Sequence, residues 1–274
     1  MSDFSPSDAA LEGFRVLRQS WRVVVGWSLF NLIALVALAI VASVATFGAA
    51  AASSAGAVQF SGAFGGLLAS LGEALTVAVL AGGLFRLMLR PQEPGFLHLR
   101  IGADELRIFG VWVVMVVAAF LLAGVCAALV LAGRGIGPGM ALVAWGLVVA
   151  AGVWLGLRFS LASVVSFAER RFTLMGSWRL TRGQVWPLLG MTVLSSCVVA
   201  LMALLVAIVL MLAMGFSVGF GAVFEAMGDA DALATHPGLY LAQLAAQLVL
   251  FPAALVLLLA PWVSAYAALS DREI

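Results

Sequence analysis

Residues 158–187 read RFSLASVVSFAERRFTLMGSWRLTRGQVWP. An apolar run ends there in a burst of charge at Glu169, Arg170 and Arg171. A short segment with Trp178, Arg179 and Arg182 follows, and a new apolar run opens at Pro187. Proline is tolerated as the first residue of a helix, where its missing N–H would have no partner anyway. The pattern is that of a cytoplasmic elbow joining two membrane-spanning helices, and the topology is counted outward from it.

A helix crosses about 30 Å of hydrocarbon with about 20 apolar residues. Six runs qualify, at roughly 23–49, 67–89, 108–131, 140–167, 188–216 and 239–269. The chain is 64% hydrophobic and 10% charged, with a mean hydropathy of +1.17, well away from the balance of soluble domains. The expected fold is therefore all-α: a six-helix membrane bundle (11–270) with short interfacial helices, a disordered tail at 1–10 and a cytoplasmic end at 271–274. A net charge of +1 supplies no basic surface for nucleic acid.

Arginine sets the orientation. Arg15, Arg18 and Arg22 precede the first run. Arg86, Arg90, Arg100 and Arg107 flank the second connection, and Arg158, Arg170, Arg171, Arg179 and Arg182 the fourth. Arg272 follows the last run, and the opposite side holds Arg134 alone. Positive loops stay in the cytoplasm, so both termini are expected there, in a bacterial inner membrane. All 14 residues counted as Lys+Arg are arginine, which fits an Arg-for-Lys coding preference. Arg18, Arg100 and Arg182 are equally spaced. That suggests a threefold repeat of interfacial segment plus helix hairpin (14–22, 96–107, 172–186); plain hairpin periodicity explains it too.

Polar groups inside the runs are the candidate sites, since charge in hydrocarbon normally faces a partner or water. Arg158 lies within the fourth run and Glu73 within the second. Either Arg158 binds an anion, as a guanidinium matches phosphate, or it snorkels or pairs within the bundle; the second reading is the more economical. Glu73 reads as interfacial or locally paired. Asn31, Gln243 and Gln247 suit interhelical hydrogen bonds or a substrate-lining face. Gly152, Gly156 and Ser160 have the small-xxx-small spacing of close helix packing, within the bundle or in a homodimer, and Gly82-Gly83 suits a kink. Cys126 and Cys197 read as buried, inert thiols.

At the elbow, Leu174, Met175 and Trp178 share one helical arc and Thr173, Ser177 and Thr181 another. The segment suits the headgroup layer, with Arg100, Arg179 and Arg182 meeting phosphates and Trp178 and Trp186 anchoring. It equally suits a place under the bundle, paired with Asp104, Glu105 or Glu169. The acidic stretch with Glu225, Asp229, Asp231 and His236 has no metal-loop spacing. With no nucleophile elbow, phosphate loop or zinc-helix motif, neither an enzyme nor a cofactor or metal is expected.

The elbow sequence, with Arg86-Leu-Met-Leu-Arg-Pro-Gln-Glu-Pro-Gly before the third run, resembles bacterial polytopic proteins related to the membrane domain of glycerophosphoryl diester phosphodiesterases. No segment here is long and polar enough for that family's catalytic barrel, so the resemblance implies a lipid-related membrane module without that activity. The expected function is non-enzymatic engagement of membrane lipids, or of another copy or a protein partner, through the arginine-rich face. The alternative is a transporter of a small anionic or amphipathic solute using Arg158, Gln243 and Gln247.

Overall fold

The computed structural model describes residues 6–50, 55–93, 95–133, 138–221, 223 and 237–270. The acidic stretch holding Glu225, Asp229, Asp231 and His236 lies outside them, as do Arg134 and Arg272. Among the described residues every regular element is helical, and six stretches are long and apolar enough to cross a membrane. These stretches fall on α2 (Trp21–Ala50), α3 (Ala55–Leu89), α4 (Ala103–Gly133), α5 (Pro138–Phe159) with α6 (Ala162–Ala168), α8 (Val185–Val218) and α9 (Pro237–Ser270). Two shorter helices are α1 (Pro6–Gln19) and α7 (Met175–Leu180).

Several expectations need correction. A helix begins at Pro6, inside the stretch read as a tail, because Ala9, Ala10, Gly13 and Val16 give α1 an inward face of small residues. A Cβ on Gly13 would lie 2.8 Å from the Leu257 backbone, so α1 rests directly on α9. The three segments of the proposed repeat differ: α1 has 14 residues, α7 has 6, and 96–107 holds only a single 3-10 turn, Phe96–His98, before α4. Helix α3 runs through Gly82-Gly83 unbroken. Cys197 is exposed and Cys126 half-buried, since each sits on an outward face of its helix.

The fourth run is also two helices rather than one, α5 and α6. The break follows from hydroxyl chemistry. Ser160 Oγ donates to the Leu157 carbonyl (2.8 Å), and the Arg158 carbonyl accepts from Ser177 Oγ (2.7 Å) and Thr181 Oγ1 (3.3 Å). Carbonyls that would receive the next helical N–H groups are thus claimed by side chains, a known way to interrupt a helix.

By internal contacts the chain forms two compact units where a single bundle was expected. One comprises residues 1–9, 77–191 and 260–274; the other comprises 10–76 and 192–259. The second unit buries Trp27 and Asn31 on α2. The first contains the elbow at residues 158–187 and every interaction described next.

Candidate functional site

The site starts from a slot in α3. Arg86 stands one helical turn after Gly82, so the two share a face. A Cβ on Gly82 would lie 3.0 Å from Glu105 Oε1 and 3.1 Å from its Cγ. The missing side chain lets Glu105, in the first turn of α4, reach Arg86. Both side chains are buried, 3% and 1% exposed. Arg86 donates to Glu105 Oε1 and to the His98 carbonyl. The pair also matches the helix dipoles, a cation near the end of α3 and an anion at the start of α4. The connection is held in an uncommon shape, with Leu97 and His98 both at positive φ, 55° and 59°. Such backbone costs about 1–3 kcal/mol per residue, and the Arg86 bond to His98 helps to offset it.

Phe167 on α6 is the second anchor. It is fully buried, meets the Phe85 ring edge-on at 5.6 Å, and lies under the guanidiniums of Arg86 (5.8 Å) and Arg90 (4.8 Å). Arg90 Nη2 donates to the carbonyls of Phe167 (3.0 Å) and Ala168 (3.1 Å), which end α6. One arginine just past α3 therefore caps a helix 77 residues away. Glu93 gathers Arg170 (2.8 Å), Arg90 (3.6 Å) and Arg86 (3.7 Å). Asp104 takes Arg107 and, at 3.7 Å, Arg90. Four guanidiniums, those of Arg86, Arg90, Arg107 and Arg170, thus face the three carboxylates of Glu93, Asp104 and Glu105.

Beside this network lies a cleft of about 380 Å³. Its walls include Glu93, Arg100, Gly102, Asp104, Glu105, Arg107 and Arg170. Arg100 is exposed, and its guanidinium has no partner among the described residues.

The elbow turns its hydroxyl arc inward, opposite to the usual apolar-inward rule. Gly176, Ser177 and Thr181 are buried, whereas Met175 is exposed. The hydroxyls are drawn in by the Arg158 carbonyl, and Gly176 allows α7 to touch Val165 on α6, where a Cβ would lie at 2.8 Å. Ser166, fully buried, closes the turn by donating to the Thr173 carbonyl and accepting from the Thr173 N–H.

Arg158 sits between two indoles, 5.5 Å from Trp154 and 5.0 Å from Trp178, and those rings meet edge-on. Such stacking suits a guanidinium's flat, weakly hydrated faces. Trp178 is therefore half-buried over Arg158 and is no free interfacial anchor, while Trp186 is 81% exposed. Arg179 and Arg182 are exposed and unpaired among the described residues; Arg171 pairs with Glu169 at 2.9 Å.

The remaining candidates are scattered. Glu73 and Gln247 are exposed, Asn31 is buried in the other unit, and the Gln243 side chain lies outside the described residues. A Cβ on Gly152 would meet Leu122 of α4 at 3.2 Å, but one on Gly156 would meet nothing within 4 Å. Close packing thus occurs at one end of the Gly152–Gly156–Ser160 stripe, and Ser160 serves the helix break instead. Sequence reasoning missed the Gly82 slot and the Phe167 anchor. Compared with family models, curated proteins and solved structures, the chain matches none.

Proposed function

We propose that this multi-pass membrane protein is a non-enzymatic module of a bacterial inner membrane that engages lipid phosphates through its arginine-bearing cytoplasmic face. One observation carries the reading. Within residues 77–191, Arg86, Arg90, Arg107, Arg170 and Arg171 pair with carboxylates and Arg158 stacks on indoles, whereas Arg100, Arg179 and Arg182 stay exposed and unpaired among the described residues. The exposed Trp186 adds an indole suited to the headgroup layer. The second reading, transport through Arg158, draws on its Nε, which is buried without a hydrogen-bond partner, while two indoles cover the guanidinium's faces.

Each arginine near an anionic surface contributes about 1 kcal/mol. The triple variant Arg100→Gln/Arg179→Gln/Arg182→Gln is therefore expected to retain at least about tenfold less anionic lipid in native mass spectrometry. Unchanged retention would refute the reading.

In this reading both termini lie on the cytoplasmic side, as does the elbow. In a Cys126→Ala/Cys197→Ala background, an impermeant maleimide added to intact cells is expected to label Asp229→Cys but to reach Arg171→Cys only after lysis. Labelling of both without lysis would overturn this orientation.

A further inference from the structure

The cleft beside the Arg86–Glu105 pair is a built site rather than a surface dent. Glu105 is 1% exposed, and its two oxygens have different surroundings. Oε1 faces Gly82 and accepts from Arg86. Oε2 is buried without a hydrogen-bond partner, and it lies on the side of Gly102, whose Cβ would be 3.4 Å away. Gly102 is part of the cleft wall. A buried carboxylate oxygen that no protein donor reaches can accept a further hydrogen bond.

The same walls carry Arg100, which is unpaired, and Arg107 and Arg170, each with one carboxylate contact. A guanidinium has five N–H donors, so these side chains hold spare donors for an acceptor-rich group. The cleft therefore asks for two things close together: an N–H cation for Glu105 and an oxyanion for the arginines. A bare phosphate would satisfy the guanidiniums but meet the carboxylates of Glu93, Asp104 and Glu105. A quaternary ammonium carries no N–H for Oε2. At about 380 Å³ the cleft falls within the size range of small-molecule pockets.

We infer that this cleft binds a phosphate monoester or diester bearing a primary amine, the phosphoethanolamine unit, either as a lipid headgroup or as a free compound. The inference rests on the reading of this face as phosphate-binding and adds a selectivity to it.

The test uses the full chain in detergent, titrated by calorimetry with O-phosphoethanolamine, O-phosphocholine and inorganic phosphate. O-phosphoethanolamine is expected to bind at least about tenfold more tightly than the other two, one charge-assisted hydrogen bond being worth about that factor. Arg170→Gln alters a side chain 63% exposed, so the fold should survive, and binding is expected to weaken about tenfold. Glu105→Gln should erase the preference for the amine. In nanodiscs holding equal phosphatidylethanolamine and phosphatidylcholine, enrichment of the former that Arg170→Gln abolishes identifies the lipid source. Tight binding of O-phosphoethanolamine without that enrichment identifies the free compound. Equal affinity for all three titrants, no binding of any, or an unaltered Arg170→Gln would overturn the inference. Arg179→Gln/Arg182→Gln lies outside the cleft walls, so unchanged anionic-lipid retention in that variant would refute the broader reading separately.

Discussion

Glu105→Ala is expected to destabilise the protein by about 3–5 kcal/mol, because it strands the Arg86 charge in a buried place. Arg86 is buried, and its other hydrogen bond goes to the His98 carbonyl. The geometry leaves the stranded guanidinium little recourse: Glu93 stands 3.7 Å from Arg86 Nε and is already shared with Arg90 and Arg170. Thermal unfolding in detergent, followed by tryptophan fluorescence, measures the loss. The double variant Arg86→Leu/Glu105→Leu separates charge from packing, since replacing a whole buried ion pair by apolar groups is often close to neutral. It should fall short of the wild type by about 1–3 kcal/mol, the cost of leaving the His98 carbonyl without its donor. If Glu105→Ala unfolds with the wild-type midpoint, the pair is not a structural element and the description of this corner fails.

The second large effect is expected at Phe167. Truncation to alanine should cost about 3–5 kcal/mol, the usual range for a phenylalanine removed from a packed interior. Phe167 is fully buried, with Phe85 at its edge and two guanidiniums over its ring. Arg90 bonds to the backbone of Phe167 and Ala168 rather than to the ring, so those hydrogen bonds are available to the variant as well. The loss should therefore track ring volume and cation–π attraction, and Phe167→Leu should recover roughly half of it, leucine filling much of the same space. The same unfolding measurement decides, and a Phe167→Ala protein within about 1 kcal/mol of wild type would show that the ring is not an anchor.

The six membrane-length helices were legible in the residues. Hydrocarbon imposes a length on each apolar run and leaves little room for charge between the ends, so six stretches appear where six were counted. The details that failed share a physical cause. Ser160 and Leu161 suit a continuing apolar helix, and the interruption depends on Ser177 and Thr181, hydroxyls brought in from another segment. Which arc of α7 faces inward was open in the sequence for the same reason: Ser177 and Thr181 turn in to the Arg158 carbonyl, which lies in another segment. Gly82 shows the limit from the other side. A glycine in an apolar helix reads as a flexible point, and only the position of Glu105 3.0 Å from its absent Cβ reveals a fitted slot. Asp104 and Glu105 were recognised as candidate partners for elbow arginines, yet they bind Arg107, Arg90 and Arg86 instead. Arg179 and Arg182, named as candidates in the sequence, are exposed and unpaired among the described residues.

That slot has a mechanical consequence. Turning α3 by one residue so that Ala81 takes the place of Gly82, a swing of about 100°, would drive the Ala81 methyl against the Glu105 carboxylate, whereas the opposite turn presents Gly83. Sliding α3 along α4 would do the same. The two helices are keyed at this corner in one sense of rotation and against sliding, and a motion that carries a side chain into the slot must withdraw the carboxylate and break its bond to Arg86 together.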